Sequence, residues 1–180
     1  MRSSIRRLFR TLVVGAFCVG GVFASEDEVF LAPDRFVENA FSDDPTPALK
    51  RLWLTADLKP NIRKIMGHDY AALRLRYWHQ GSRTAWILEE IGKVKPITTG
   101  FVVEDGKISQ VQVLIYRESH GWEVKHPFFT DQFIGAQLAE NLKLDRRIDS
   151  IAGATLSVNA LRKMGQLALY LDEQVQDSSG

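Results

Sequence analysis

Residues 97–116 read ITTGFVVEDGKISQVQVLIY, and this stretch gives the clearest indication of the architecture. Its two halves are rich in β-branched and aromatic residues, and Asp105-Gly106 stands between them. An Asp-Gly pair between two such runs favours a type I′ turn, because both central positions of that turn need a positive φ. The stretch therefore predicts an antiparallel hairpin in which residues 97–104 pair with residues 107–117.

The two-residue period continues on the N-terminal side of this hairpin. Leu73, Leu75 and Tyr77 occupy every second position before a Gln-Gly-Ser turn, and residues 84–91 form a returning strand. This period is typical of strands, so we expect an antiparallel sheet of about four strands with one face on a core. Helical spacing of apolar residues flanks the sheet at residues 33–41, 46–53, 58–66, 130–141 and 157–173. The predicted fold class is α+β, with N-terminal and C-terminal helices packed on the sheet.

Composition limits the size and the class of the protein. The chain has 180 residues, of which 45% are apolar and 25% charged, as expected for one globular domain. Lys and Arg number 23 against 22 Asp and Glu, and four of the arginines lie within the first ten residues. The remainder is therefore mildly acidic, which argues against a generally basic nucleic-acid binder.

The N-terminus has the organisation of a secretory signal. Behind the four arginines comes an apolar run at residues 12–24, which is too short for a typical membrane span and ends in Val-Phe-Ala. We expect cleavage after Ala24; retention as a membrane anchor is the alternative. The predicted organisation is a signal peptide at 1–24, a single domain at 25–174 and a frayed polar tail at 175–180. The predicted location is the periplasm, with membrane association if the signal is retained.

Cysteine usage excludes several kinds of chemistry. The only cysteine, Cys18, lies inside the predicted signal, so the mature protein would contain none. Disulfides, thiol nucleophiles, iron–sulfur clusters and thiolate zinc sites are thereby excluded. The four histidines are scattered, and no metal held by side chains is expected. Any redox chemistry must come from a bound organic cofactor.

The segment at residues 149–157, DSIAGATLS, precedes the best amphipathic helix in the chain. Gly153 and Ala154 remove side-chain bulk from a turn, and Thr155 and Ser157 place hydroxyls at a helix N-terminus, where free backbone N–H groups attract anions. The alternative is that one of these hydroxyls simply caps the helix. No neighbouring base is visible to activate Thr155, so covalent chemistry there needs an outside agent.

The same segment resembles the flavinylation signature of the FMN-binding domain family. Members include the peripheral FMN subunits of sodium-pumping NADH:quinone reductase and related membrane oxidoreductases, and free-standing secreted proteins, which this chain resembles most. The family pattern is Asp, two free positions, Ser or Thr, then Gly-Ala-Thr. Asp149, Gly153, Ala154 and Thr155 match it, whereas Ala152 departs from it. The resemblance implies that FMN is joined through its phosphate to Thr155 by a separate magnesium-dependent flavin transferase.

The loop at residues 116–122 follows the longest strand, and in the family the corresponding loop lies against the flavin ring. By this resemblance Gly121 allows close backbone approach, Trp122 stacks on the ring, and Arg117 or His120 meets its carbonyls or the phosphate. The alternative is a polar turn in which Trp122 closes the core. The candidate cofactor-binding residues are Thr155, Ala154, Gly153, Ser157, Leu156, Asp149, Arg117, Glu118, Ser119, His120, Gly121 and Trp122.

The leading hypothesis is an extracytoplasmic electron-transfer protein that carries covalent FMN on Thr155. Its expected partners are the flavin transferase and membrane or extracytoplasmic redox proteins, with no nucleic acid. No residue offers itself as an acid or base for a substrate, which favours a redox carrier over a stand-alone enzyme. Two alternatives are a flavin-dependent reductase of a small extracytoplasmic acceptor and a binding module in which Ala152 marks a motif that receives no flavin.

Overall fold

A computed structural model describes residues 27–43 and 46–177. Its centre is one antiparallel sheet of six strands in the order β1-β6-β5-β4-β3-β2. The strands are β1 (Glu28–Val29), β2 (Ala48–Trp53), β3 (Arg74–Gln80), β4 (Arg83–Ile91), β5 (Pro96–Glu104) and β6 (Lys107–Tyr116). The helices are α1 (Pro33–Ala40), α2 (Lys59–Met66), α3 (Pro127–Thr130) and α4 (Thr155–Asp177). The α+β class is confirmed, although the sheet has six strands rather than about four.

The β5–β6 hairpin forms as its sequence predicts. Glu104 pairs with Lys107, and the two turn residues Asp105 and Gly106 have φ values of 51° and 71°. Both are positive, as a type I′ turn requires. The predicted strands at residues 84–91 and at Leu75 and Tyr77 correspond to β4 and β3.

The C-terminal helix α4 covers one face of the sheet. Its inward residues at the predicted helical spacing are fully buried: Leu161, Met164, Ala168 and Leu171. Near its C-terminus a polar network also joins it to the sheet. The Thr84 hydroxyl donates to Asp172 Oδ1 at 2.6 Å, and Trp86 Nε1 donates to the Thr84 oxygen at 2.9 Å. The network fixes the far end of α4 to β4, because each of these buried polar groups finds a partner.

The opposite face of the sheet also packs on a helix, so the expectation of a single buried face is wrong. Phe36 and Phe41 of the α1 segment are fully buried against residues such as Val102 and Leu114. A Cβ at Gly100 would stand 2.6 Å from the Phe36 ring, so glycine is what lets this ring lie on β5. Leu114 therefore faces α1, whereas Val113 beside it faces the α4 core.

Two strands near the N-terminus differ from the prediction: β2 forms where a helix was expected, and β1 was not predicted. Residues 46–53 were expected to be helical, but Ala48–Trp53 form β2, which pairs along its length with β3. The apolar spacing at Leu49, Leu52 and Trp53 fits a helix. Leu49 and Trp53 are nevertheless 48% and 57% exposed, so these side chains do not form the buried face of a helix. The two-residue β1 pairs with the end of β6 and is too short to leave a periodic signal.

The helix expected at residues 130–141 is also absent. Gly135 has φ +77°, and its N–H donates to the carbonyl of Ile108 at 2.7 Å, while Ile108 N–H donates to Ala136 at 3.0 Å. Pairing with β6 thus replaces the helical hydrogen bonds, and only α3 and a 3₁₀ turn at Asp131–Phe133 precede this point. Phe133 and Ala136 are buried at this crossing, which explains their apolar pattern.

The C-terminal boundary also differs from the prediction. The helix α4 continues to Asp177 and Val175 is only 3% exposed, so residues 175–177 do not belong to a frayed tail. The predicted signal at 1–24 lies outside the described residues. Among the residues that are described, no helix is both long and apolar enough to span a bilayer.

Candidate functional site

A cleft of about 410 Å³ opens at one end of the sheet. Three segments meet there: the first turn of α4, the loop after β6, and the turn between β4 and β5. Its lining residues are Lys93, Glu118, Ser119, His120, Gly153, Ala154, Thr155, Leu156 and Ser157. The volume lies within the range of roughly 300–1,000 Å³ that small-molecule sites occupy. The cleft thus joins the two segments that the sequence singles out, residues 149–157 and 116–122.

Thr155 is the first residue of α4, and its side chain is exposed at the cleft. Its hydroxyl makes no hydrogen bond with any residue in 27–43 or 46–177, so it does not cap the helix. The backbone N–H groups of Thr155, Leu156 and Ser157 likewise have no partner in these ranges, because the first bond into the helix comes from Val158 to Ala154. Gly153, at φ +81°, makes the turn into the helix. The cleft therefore presents a free hydroxyl beside three free N–H donors.

A buried hydroxyl pair ties the loop after β6 to the start of α4. Burial raises the pKa of Tyr116, so its hydroxyl stays protonated and donates to the His120 carbonyl at 2.6 Å. Ser157 Oγ lies 2.9 Å from the same phenol oxygen and is itself only 4% exposed. Gly121, at φ +85°, completes the contact, because a Cβ there would stand 2.6 Å from Ser157 Oγ. Ser157 therefore helps to position the cleft walls.

Glu118 holds the third wall of the cleft. Its Oε1 accepts the backbone N–H groups of Lys93, Val94 and Lys95, the last two at 2.5 and 2.9 Å. Burial alone would raise the pKa of this carboxyl, but the three N–H donors outweigh burial and hold the pKa below its ordinary value. Glu118 is thus an ionised clamp that fixes the 92–95 turn, and with it the backbone of Lys93, beside the helix start.

The comparison with known protein families bears directly on this cleft. Residues 92–170 match the family model of the FMN-binding domain. This part of the chain belongs to the FMN-binding domain family. No curated protein matches the chain. The FMN-binding domain begins in the turn before β5 and ends inside α4, so it contains every residue that lines the cleft. The match supports FMN as the ligand and a flavin-binding, electron-transfer role.

The chemistry of the cleft in the FMN-binding domain fits that ligand. The free N–H groups at the start of α4 suit a phosphate, since a helix N-terminus favours negative charge. Lys93 adds a cation at the lining, and Leu156, 49% exposed, adds apolar surface for a ring. His120 is exposed at the lining, with its Nδ1 2.9 Å from Ser119 Oγ. Donors, a cation and apolar surface thus meet in one place.

Four candidate residues of the FMN-binding domain lie outside this cleft lining: Arg117, Gly121, Trp122 and Asp149. Arg117 instead donates to Asp27 Oδ2 and Thr98 Oγ1, each at 2.9 Å, and fastens the end of β6. Trp122 is 45% exposed, so the alternative in which it closes the core is wrong. Asp149 is exposed, and its carboxylate lies 3.6 Å from Arg147 Nε.

Lys93 is the lining residue that sequence reasoning missed. A signal was available, because Gly92 and Lys93 follow the predicted strand at 84–91, and an antiparallel sheet brings that turn to the edge where the strand after Asp105-Gly106 ends. Glu118 joins the end of β6 to the turn at Lys93 and Val94, and this contact spans more than twenty residues of sequence. Such a long-range contact leaves no local pattern.

Proposed function

We propose that this protein is an extracytoplasmic electron-transfer protein whose FMN is joined through its phosphate to Thr155. The observation that carries the proposal is the position of the Thr155 hydroxyl: exposed, without a hydrogen-bond partner among the described residues, and at the mouth of a cleft of about 410 Å³. A hydroxyl serving only as a helix cap would be bonded to the backbone of its own first turn.

The chain's own groups have distinct parts in holding the cofactor. The N–H groups of Thr155, Leu156 and Ser157 would donate to the phosphate oxygens, and Lys93 would balance their charge. Glu118 holds the turn that carries Lys93, and the Tyr116–Ser157 pair holds the opposite wall. Bound FMN supplies the transfer of electrons, which no side chain of this protein can perform alone.

Attachment requires an outside catalyst. A threonine hydroxyl is a weak nucleophile unless a base removes its proton, and no base within the described ranges bonds to Thr155 Oγ. A flavin transferase is therefore the proposed maturation partner. A covalent link suits a protein beyond the cytoplasm, where a cofactor held by affinity alone would be lost by dilution. The proposed signal at residues 1–24 and redox partners at or near the membrane belong to the same proposal.

Intact-mass spectrometry after co-expression with a flavin transferase tests the attachment. The protein should gain the mass of FMN less one water and keep its yellow colour after denaturation. Thr155→Val should abolish the gain and Thr155→Ser should retain it, because only serine preserves a hydroxyl. Thr55→Val removes an exposed threonine outside the cleft and serves as the matched control. An unchanged mass in the parent protein, or a flavin adduct retained in Thr155→Val, would refute the proposal.

A further inference from the structure

A polar stripe runs along α4 from Thr155. Asn159, Arg162 and Gln166 follow it at intervals of four, three and four residues, which places all four side chains on one face of the helix. The stripe spans about 16 Å at a rise of 1.5 Å per residue. Most of the remaining helix surface is buried in the core. Thr155 is exposed and Asn159 and Arg162 are half-buried, so the stripe lies on the solvent-facing side of α4, with Gln166 at its buried end.

Two adjoining clefts of about 430 and 340 Å³ follow this stripe. Leu156 lines both the cleft at Thr155 and the first of these two, and Lys143, Arg162 and Gln166 line both of the adjoining clefts. Together they form a groove that continues from the candidate flavin site. We call this region the stripe groove; its cationic lining residues are Lys143, Arg146, Arg147, Arg162 and Lys163.

The charge of the stripe groove is only partly compensated. Its lining includes no carboxylate. The carboxylates that meet its cations come from outside the lining: Glu90 lies 3.1 Å from Lys163, Asp149 lies 3.6 Å from Arg147, and Asp145 lies 3.2 Å from Arg146. Lys143 and Arg162 have no carboxylate partner within residues 27–43 and 46–177. The groove thus keeps two uncompensated cations at its centre.

The donors in the groove are also held in place before any ligand arrives. Arg162 donates to Asn159 Oδ1 and to the Ile148 carbonyl, each at 3.2 Å, which leaves other guanidinium N–H groups available. Gln166 is only 9% exposed, and its carboxamide has no hydrogen-bond partner in the described part of the chain. Packing thus restricts this side chain while its amide donors and acceptor stay available to a ligand in the groove.

We propose that the stripe groove docks an acidic segment of the protein that exchanges electrons with the flavin. This inference rests on the proposed function, because it assigns the partner of that same site. The groove's length accommodates about five residues of extended chain at 3.3 Å each. Arg162 lies about 10 Å along the helix from Thr155, so a segment bound there brings its protein up to the flavin cleft. Carboxylates of the segment pair with Lys143 and Arg162, and its backbone bonds to Gln166.

Fluorescence anisotropy with a labelled twelve-residue peptide of alternating Glu and Asp tests the docking surface. The groove variants are compared in a Thr155→Val background, so this comparison stays readable even if flavin attachment fails. Lys143→Gln and Arg162→Gln should each weaken peptide binding by roughly two- to five-fold, as expected for partly exposed ion pairs. Lys143 is exposed and bears no structural ion pair, so its variant remains informative if Arg162→Gln unfolds.

Arg51→Gln, made singly like the groove variants, is the matched control, because it also removes one cation, from an exposed position on β2 outside the groove. The proposal requires this control to bind the peptide like its parent. Equal weakening would mean that overall charge, not the groove, binds acidic chains, and would overturn the proposal. Displacement of the peptide by inorganic phosphate below millimolar concentration would overturn it in favour of a small-anion site. A second measurement keeps Thr155: a flavinylated protein that does not bind the peptide would show that the flavin itself occupies the groove, and the docking proposal would then be wrong.

Discussion

The sharpest stability prediction concerns Gly121, where the loop after β6 meets α4. Alanine there must adopt φ +85°, and its Cβ would stand 2.6 Å from Ser157 Oγ and 3.0 Å from the Tyr116 hydroxyl. The left-handed conformation costs about 1–2 kcal/mol for a residue with a Cβ. Loss of the Ser157–Tyr116 hydrogen bond adds about 0.5–1.5 kcal/mol. Gly121→Ala should therefore lower the free energy of unfolding by about 1.5–3.5 kcal/mol.

Equilibrium urea unfolding measures this loss, with an unchanged slope showing that the extent of unfolding is the same. Gly106→Ala is the matched control, because Gly106 has φ +71° but an added Cβ would meet nothing within 4 Å. The control should show the backbone cost alone, about 1–2 kcal/mol. If the two variants lose the same stability, the contact between the loop and the helix is not what requires glycine at position 121, and the reasoning fails.

Two further predictions concern buried or clamped carboxylates. The pKa of Glu118 lies below its ordinary 4.5, so its contribution to stability is present above that pH and is lost as pH falls through the lower folded-state pKa. In a plot of unfolding free energy against pH, Glu118→Gln should therefore reduce the slope at acid pH. An unaltered slope would contradict the role of Glu118 as a clamp. Burial raises the pKa of Asp172 above 3.8, so its ionisation destabilises the fold as pH rises through the folded-state pKa. Asp172→Asn keeps an oxygen acceptor for Thr84 and should match or exceed the parent's thermal stability at neutral pH, whereas a loss above about 2 kcal/mol would show that the charge itself is needed.

Local signals in the sequence account for the central hairpin and for α2 and α4. The Asp105-Gly106 pair favours its turn locally, because both residues adopt the positive φ values that a type I′ turn needs. Gly67 at φ +79° ends α2 at the predicted residue for the same reason. These elements were predictable because the chemistry that fixes them lies within a few residues.

The elements that could not be predicted depend on distant partners. Residues 48–53 have helical apolar spacing, but β3 offers them a full ladder of backbone hydrogen bonds, and pairing prevails over a weak helical face. The segment around Gly135 fails as a helix because its N–H bonds to Ile108, more than twenty residues earlier. Each error comes from a backbone contact that a local window does not contain.

The candidate site also has one part that local sequence predicts and another that depends on distant contacts. The helix start at Thr155 could be located from small residues and hydroxyls before an amphipathic run, and the structure brings it against the loop that carries His120. The side-chain directions of Arg117 and Trp122 could not be predicted. Successive residues of a strand point to opposite faces, so a shift of one residue in where the strand ends sends a side chain to the other face. Lys93 was missed because Glu118 holds its turn from a separate hairpin.

The helix α4 runs without a break from the cleft past Asp172, which accepts a hydrogen bond from Thr84 of β4, and this continuity has an optical consequence. FMN esterified at Thr155, as proposed, would be attached to the end of a helix whose other end is held in the domain, and contact of its ring with the cleft walls would restrict its motion relative to the domain. Its emission should depolarise at the tumbling rate of the whole particle. The depolarisation rate of the bound flavin would then report the size of the particle, and it would fall measurably whenever a second macromolecule binds.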